Sequence, residues 1–314
     1  MSQTITSGTP VPQSEITRVK ALGFLWDKRT PDKFNARVIT RNGKITAQEC
    51  QVIAEAAKRF GSGEVAMTTR LTMEIQGVPY ENVEPLREFL KAEAGLETGG
   101  TGAKVRPVVS CKGTTCQYGL IDAYDLSREI HERFFKGYGS VKLPHKFKIA
   151  VGGCPNNCVK PDLNDVGIVG QRVPLIHPEL CKGCKICEKT CPVHVAKVVD
   201  GKAVIDPEQC NRCGRCIAKC PFQAIEAQTT GYRIYIGGRW GKRTAMGRPL
   251  DVIVTDREQV LTLVEKCLLL FKAYGEPKER FADTITRLGF QKAQELLLSD
   301  ELLQRKEEIL ADNG

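Results

Sequence analysis

The first hundred residues switch between strand-like and helix-like spacing of apolar side chains. In "FNARVITRNGKIT" apolar and polar residues alternate about Asn42-Gly43, which predicts a β-hairpin. "TAQECQVIAEAAKRFGSG" has helical spacing and ends in glycines. "EVAMTTRLTMEIQGV" places apolar residues at every second or fourth position, as in a strand, and "YENVEPLREFLKAEAG" predicts a second helix that closes at Gly95. This order predicts a ferredoxin-like topology, a name that implies no iron–sulfur cluster.

A segment dense in cysteine interrupts the second half of the chain. After the glycine-rich "ETGGTGAKVRP", a second unit begins at about Lys104 with a strand-like run, the helical "IDAYDLSREIHERFFKGYG" and another strand-like run. Strand character returns at "GYRIYIGGRWGKRTAMGRPLDVIVTD", and helical patterns fill the remainder. The intervening cysteine-dense segment, about residues 171–228, is therefore predicted to be an insertion within one domain.

Composition and charge narrow the class of protein. The 314 residues carry a formal net charge of +9, which favours an anionic partner, but the basic residues are dispersed and no nucleic-acid-binding motif accompanies them. No run approaches the roughly 20 apolar residues of a membrane helix. The N-terminal residues lack the basic and apolar regions of a signal peptide. We therefore expect a cytoplasmic protein without a nucleic-acid partner or a membrane span, with a flexible arm over residues 1–17.

Fourteen cysteines in such a chain favour metal or redox chemistry over disulfides. Twelve of them lie in three groups. Cys50 and Cys267 stand alone in helical contexts, and a free cysteine packs as a small apolar side chain. We expect both to be buried thiols without a chemical role.

The most specific motif is a repeated run of cysteines. "CKGCKICEKTCP" and "CNRCGRCIAKCP" both follow C-x2-C-x2-C-x3-C-P, the spacing of bacterial two-cluster ferredoxins, in which the fourth cysteine of each run ligates the other cluster. One 4Fe–4S cluster is then assigned to Cys181, Cys184, Cys187 and Cys220. The other is assigned to Cys210, Cys213, Cys216 and Cys191. Zinc also accepts four thiolates, but two tandem runs that each end in proline favour clusters, which transfer single electrons.

Four further cysteines lie outside this segment, in two pairs. "GGCPNNCVKPDLNDVGI" contains Cys154 and Cys158, and "CKGTTC" contains Cys111 and Cys116. The first sequence resembles the signature of the sirohaem-containing sulfite and nitrite reductases. The resemblance implies that the four cysteines hold a third 4Fe–4S cluster and that Cys158 also bridges to the sirohaem iron. Histidine would be the usual haem ligand, but no histidine lies in a comparable motif, and His145 is assigned a structural or supporting role.

The same resemblance implies which side chains meet the substrate and the cofactor. The substrate of that family is an oxyanion, so cations on the open side of the haem would bind it and polarise its bonds. By their positions in the family motifs, the substrate residues are Arg37, Arg106, Lys146 and Lys148. Arg70 matches an arginine that pairs with sirohaem carboxylates.

The stretch "GYRIYIGGRWGKR" is a candidate cradle for this carboxylate-rich cofactor. The alternative is a glycine-containing hairpin with a basic rim. The cradle residues would be Gly237, Gly238, Arg239, Lys242 and Arg243.

The implied fold class is α+β. We assign a ferredoxin-like reductase half domain to residues 18–97, a sirohaem and 4Fe–4S domain to 98–170 and 229–275, a two-cluster ferredoxin insertion to 171–228, and C-terminal helices to 276–314. One module interrupted by a ferredoxin is similar to dissimilatory-type sulfite reductases, particularly to the sirohaem subunit of the anaerobic enzyme.

This resemblance implies six-electron reduction of sulfite to sulfide with sirohaem and three 4Fe–4S clusters. We expect electrons from a flavin or iron–sulfur subunit or a soluble ferredoxin, and a homo-oligomer or hetero-complex. Two alternatives stay open: nitrite reduction by the same machinery, and a non-catalytic iron–sulfur electron carrier.

Overall fold

The first unit is an antiparallel sheet covered by helices. The structure is a computed structural model that describes residues 10–311. In chain order the elements are α1 (Gln13–Ala21), β1 (Phe24–Trp26), β2 (Lys33–Val38), α2 (Ala47–Phe60), β3 (Val65–Met67), β4 (Met73–Pro79) and α3 (Val83–Ala94). The sheet has the order β1-β2-β4-β3. The apolar faces of α2 and α3 share a core with it that includes Phe34, Ile53 and Leu86.

The turn at Asn42-Gly43 forms, but it leads into a helix and not into a second hairpin strand. Both residues have positive φ, 53° and 86°, as a tight turn of this kind requires. Thr46 and Glu49 then form a capping box that starts α2. The predicted hairpin is therefore reduced to a single antiparallel bridge between Arg41 and Lys44, because the helix cap follows the turn at once.

The strand predicted over "EVAMTTRLTMEIQGV" is divided into β3 and β4, which pair as a hairpin. Val65 lies opposite Ile75, and the turn between the strands includes Leu71 with a φ of 58°. The division matters for the site, because the turn carries Arg70 away from its own sheet and towards the second unit.

The second unit is built on a mixed sheet of five strands. Before the cysteine-dense segment come β5 (Val109–Ser110), α4 (Ala123–Ile130), β6 (Ile149–Gly152) and β7 (Val166–Ile176). The segment itself contains α5 (Ile186–Thr190), β8 (Ala196–Val199), β9 (Lys202–Ile205) and α6 (Arg215–Lys219). After it come β10 (Ile225–Ile236), β11 (Arg248–Val254), α7 (Arg257–Tyr274), α8 (Phe281–Leu288), α9 (Phe290–Leu298), α10 (Glu301–Gln304) and α11 (Lys306–Ala311). The sheet has the order β11-β10-β7-β6-β5, with β5, β6 and β7 parallel.

The cysteine-dense segment leaves this sheet between two neighbouring strands. β7 and β10 pair antiparallel over their whole lengths, and Ile176 lies opposite Ile225. The chain therefore leaves and re-enters the sheet at adjacent positions. The residues between form a lobe whose small core contains Cys187, Ala196 and Ala203.

Three phenylalanines join the sheet to the C-terminal helices. Phe147 precedes β6, Phe271 lies in α7 and Phe281 begins α8, and all three are fully buried. Their ring centroids are 5.1 to 5.7 Å apart, the range in which aromatic pairs attract one another beyond simple burial. This contact places the start of α8 against the residues that flank Phe147.

The structure also tests the predictions for the N-terminal arm and for the two isolated cysteines. Residues 13–17, predicted as part of a flexible arm, form the first turns of α1, and residues 1–9 lie outside the described part of the chain. Cys267 is buried, as expected, but Cys50 is exposed because it lies on the solvent side of α2. Within residues 10–311, no helix combines the length and hydropathy needed to cross a bilayer.

We predict that Gly238→Ala destabilises the fold by about 3 kcal/mol, because the added carbon would lie 2.3 Å from the carbonyl oxygens of Asp162 and Asn164. Gly99→Ala is the matched control, since the nearest atom to its added carbon, in Ile39, is 4.0 Å away. Thermal or denaturant unfolding of the two variants under anoxic conditions checks the prediction. Equal stability of the two variants would contradict it.

Candidate functional site

The eight cysteines of the lobe lie around two separate cavities. Cys181, Cys184, Cys187 and Cys220 line the first. Cys191, Cys210, Cys213 and Cys216 line the second. Each set takes three cysteines from one run and the last from the other, so the structure groups them as the crossed spacing predicts.

Main-chain N–H groups donate to thiol sulfurs in the lobe. Ala203 donates to the Sγ of Cys181 at 3.3 Å, and Ala224 donates to the Sγ of Cys220 at 3.2 Å. Burial raises the pKa of the Cys216 thiol to about 12. A bound cation would reverse that effect, because metals hold cysteine as thiolate.

Four cysteines line each cavity of the lobe, three from one run and one from the other. Four thiols spaced around a cavity suit an iron–sulfur cube, in which each thiolate binds a different iron.

The remaining four cysteines of the motifs meet at the ends of β5 and β6. Cys111 follows β5, and its Sγ accepts the N–H of Gly153 at 3.1 Å. Burial raises the pKa of the Cys154 thiol, and the neighbouring Cys111, Cys158 and Cys116 raise it further. The two sequence pairs are therefore brought together as one set, because β5 and β6 are adjacent parallel strands.

The third set also faces the lobe. Cys154 and Cys213 line one cleft of about 390 Å³. Arg215 crosses that cleft: its guanidinium lies 4.7 Å from the centre of the Tyr118 ring and donates to Asn156 at 3.3 Å. One cysteine of the second set and one of the third thus line the same cleft.

A larger cavity opens beside Cys158, which is exposed. It has a volume of about 460 Å³ and combines apolar, aromatic and cationic walls. The charged and aromatic residues in its lining are Arg70, Lys148, Lys160 and Trp240. An open thiol beside cations and an aromatic ring fits a flat, carboxylate-bearing macrocycle whose iron takes a sulfur ligand.

Arg70 reaches this cavity from the first unit, at the turn between β3 and β4. Its Nε and Nη2 donate to the carbonyl of Pro107 at 3.1 and 2.6 Å, and its Nη1 donates to Asn164 at 2.9 Å. Nη2 also lies 3.2 Å from the carbonyl of Ile149. Burial lowers the pKa of Arg70 to about 10. Arg70 thus fastens the two units together as well as lining the cavity.

Arg37 and Arg106 meet at the main-chain carbonyl of Gly100. Both donate to the carbonyl of Gly100, at 3.2 and 2.5 Å. Arg37 also pairs with Glu74 at 2.7 Å. Burial lowers the pKa of Arg106 to about 10, and the charges of Arg37 and Arg280 lower it further.

Lys146 and Lys148 flank the buried Phe147, so their side chains leave the chain on the opposite side from that ring. Burial lowers the pKa of Lys148 to about 8, and Arg70 and Arg280 add to the effect. The pKa of Lys146 is also lowered, by burial and then by Arg280. The lysines therefore lie within reach of the arginines, as the motif positions predict.

We call this group the cation cluster; its members are Arg37, Arg70, Arg106, Lys146, Lys148, Arg239 and Arg280. Asp165 lies among them, fully buried, with both carboxylate oxygens 3.2 Å from Nη2 of Arg280. His145 borders the group, and its Nδ1 accepts the N–H of Lys146 at 2.8 Å.

Of the predicted cradle residues that follow β10, only Arg239 belongs to the cation cluster. Arg239 pairs with Asp283 at 2.7 Å and is largely buried, whereas Lys242 and Arg243 are exposed. Gly238 allows close approach, but its neighbours are the carbonyls of Asp162 and Asn164. Gly238 therefore packs against the protein's own main chain and does not face the space where a cofactor would lie.

Three residues of the site were not predicted. Arg280 belongs to the C-terminal helices and carried no motif signal. Trp240, which is 60% exposed, and Lys160 both line the cavity. The Nζ of Lys160 lies 5.9 Å from the centre of the Trp240 ring. The tryptophan beside two glycines in "IGGRWG" was the available signal for this wall.

The chain is similar to known proteins over most of its length. The chain is similar in structure to dissimilatory sulfite reductase I, with a TM-score of 0.69 and 22% identity over 84% of this chain and 69% of that one, which shows a shared fold. It is 33% identical over 269 residues to the coenzyme F420-dependent sulfite reductase of Methanocaldococcus jannaschii. It is 29% identical over 184 residues to one subunit of the anaerobic sulfite reductase of Salmonella typhimurium.

These two alignments cover 84% and 52% of this chain, but only 42% and 51% of the respective relatives. The nitrite/sulfite reductase ferredoxin-like half domain matches residues 26–93. The nitrite and sulphite reductase 4Fe-4S domain matches residues 101–306, a span that contains the third cysteine set, the lobe and the start of α8. The chain therefore belongs to the nitrite and sulphite reductase family.

Proposed function

We propose that the protein reduces sulfite to sulfide at a sirohaem held beside Cys158. The observation that carries the proposal is the single cavity lined by Cys158, Arg70 and Lys148. It offers a sulfur ligand for an iron and positive charge for an oxyanion in one place. The reaction consumes six electrons and six protons for each hydrogensulfite, and yields hydrosulfide and three waters.

The residues of the cation cluster would bind and orient the anion. Arg106 and Lys148 carry charges that burial disfavours, so an anion between them restores interactions that they lost on leaving water. Donors aimed at the substrate oxygens would polarise the S–O bonds toward loss as water. A lysine whose pKa is near the working pH is suited to hold and deliver a proton from Nζ.

Sirohaem and a 4Fe–4S cluster, when bound, would supply the iron site and the electrons. Cys111, Cys116, Cys154 and Cys158 would hold the cluster, with Cys158 shared, and Arg70 would face the cofactor's carboxylates. Two further clusters in the lobe, a two-cluster ferredoxin insertion in this proposal, would feed electrons inward. The cleft that Cys154 shares with Cys213 supports this role.

The proposal includes a separate electron donor. A flavin or iron–sulfur subunit, or a soluble ferredoxin, would reduce the lobe in the cytoplasm, within a homo-oligomer or hetero-complex. The exposed side chains Ile186 and Phe222, beside Lys182 and Lys185 at the first cysteine cavity, support docking there.

Nitrite reduction to ammonia is the second candidate, because the matched family domain includes both activities in its description. Nitrite is also a small oxyanion that takes six electrons. The cation cluster would accept either anion, so the relative kcat/KM for sulfite and nitrite decides between them.

The visible absorption spectrum of the reduced, anoxically purified protein tests for a bound sirohaem. We expect haem bands that shift when sulfite is added, because the cavity beside Cys158 is open to an anion. An iron–sulfur shoulder without haem bands, in protein from cells able to make sirohaem, would instead identify a non-catalytic electron carrier.

The iron content tests the three cysteine sets. We expect about thirteen irons per chain, from three cubes and one haem. Cys213→Ser should remove about four irons and leave the haem bands in place, because Cys213 lines only the second lobe cavity and the adjoining cleft. The control is Cys50→Ser, at an exposed thiol of α2, which should change neither quantity. Retention of all iron in the Cys213 variant would contradict the assignment.

The affinity for sulfite should fall as the pH rises through about 8, because Lys148 loses its positive charge in that range. Lys148→Arg should keep its charge and flatten this part of the profile, whereas Lys148→Met should weaken binding at every pH. The measurement is the sulfite Kd from spectral titration between about pH 6.5 and 9.5. Ionisation of sulfite itself affects wild type and variants alike, so identical profiles for wild type and Lys148→Arg would exclude Lys148.

A further inference from the structure

Arg280 connects the C-terminal helices to the segment before β6 that carries Lys146 and Lys148. It directly precedes α8 and is only 6% exposed. Its Nη2 lies 3.2 Å from each carboxylate oxygen of Asp165. Oδ2 of Asp165 also accepts the main-chain N–H of Lys148 at 2.8 Å. The pair therefore forms a buried link from α8 to the start of β6.

Two neighbouring contacts hold the same chain segments together. Lys278 donates its main-chain N–H to the carbonyl of Pro144 at 3.1 Å. Phe281 packs on Phe147 with a centroid distance of 5.1 Å. Arg280 is thus anchored on both sides against residues 144–148, and its position follows that of the lysine segment.

The guanidinium of Arg280 has donor capacity that Asp165 does not use. Its Nε is buried and has no hydrogen-bond partner among the described residues, and the same is true of Nε in Arg106. Buried donors are nearly always paired in folded proteins, because an unpaired one loses its interaction with water. Arg172 and Arg257 also have a buried Nε without a partner among the described residues. In the cation cluster, a bound anion would supply the acceptor that Arg280 and Arg106 lack.

We propose that Arg280 is a positioning residue of the oxyanion site, which holds the Lys148 segment through Asp165 and adds its own charge to the attraction for the anion. This inference rests on the proposed function, because the anion that we assign to the site is sulfite. The charge of Arg280 also lowers the pKa values of Arg106, Lys146 and Lys148, which places it within electrostatic reach of all three.

The alternative is that Arg280 only neutralises Asp165. Three variants separate the two roles: Arg280→Gln, Asp165→Asn and the double variant. Each single change leaves one buried charge without its partner and should strongly lower the melting temperature, whereas the double change removes both charges and should restore much of it. If neutralisation is the whole role, sulfite affinity recovers with the fold.

We expect the double variant to recover stability but to bind sulfite about tenfold more weakly than wild type. Binding is read from the rise in melting temperature with sulfite concentration and from the visible spectrum of the cofactor-loaded protein. The control removes another Arg–Asp pair, with Arg257→Gln and Asp125→Asn; neither residue belongs to the cation cluster. Its sulfite Kd should equal that of wild type.

The outcomes are distinct. A double variant that folds and binds sulfite as wild type does would overturn the role of Arg280 and leave the proposed function standing. Wild-type protein that loads its cofactors but does not respond to sulfite would overturn the proposed function itself. Should the double variant not fold, Arg280→Lys, which keeps the charge but not the contact with both oxygens, replaces it. Weaker sulfite binding at an unchanged melting temperature supports the inference, and unchanged binding refutes it.

Discussion

Holding several positive charges together in a partly buried place is the constraint on which this site depends. Mutual repulsion and the loss of hydration both oppose it, and the lowered pKa values of Arg70, Arg106 and Lys148 record that cost. The fold offsets part of it with main-chain carbonyls, with Glu74 and with the buried Asp165. A bound anion would offset much of the rest, so the stability of this region and the proposed affinity for an oxyanion would have one physical origin.

The site is composite, and its parts come from distant segments of the chain. Arg70 lies on a hairpin turn of the first unit and is fixed by carbonyls of the second. At another point of the same boundary, Asn42 donates to Ser127 at 2.8 Å. Because these contacts lie between the two units, the position of one unit relative to the other determines which cations reach the cavity. A change at this boundary would therefore alter the site without touching a residue that lines the cavity beside Cys158.

The cysteine-rich lobe is positioned by its attachment to the sheet and organised by short-range contacts. β7 and β10 stay paired up to the point where the chain leaves the sheet, so the cysteine-rich residues are attached by two rigid neighbouring strands. Short-range N–H···S contacts and a small core organise the lobe itself. This attachment keeps Cys213 at the cleft that Cys154 also lines. Arg172 of β7 reinforces the junction by donating its main-chain N–H to the carbonyl of Arg212 at 2.8 Å.

The sequence by itself determined the features that depend on local spacing. The spacing within each cysteine run and the helices around Cys50 and Cys267 follow from residues a few positions apart. Lys146 and Lys148, predicted on a strand, lie just before β6, which begins at Ile149. The sequence misplaced the strand after Asn42-Gly43, because a capping box and a hairpin turn compete over the same few residues. It did not reveal Arg280, since a lone arginine before a helix looks like any surface charge. Only the tertiary structure brought Arg280 to Asp165 and Arg70 to Pro107, because these pairings depend on long-range packing of buried charge.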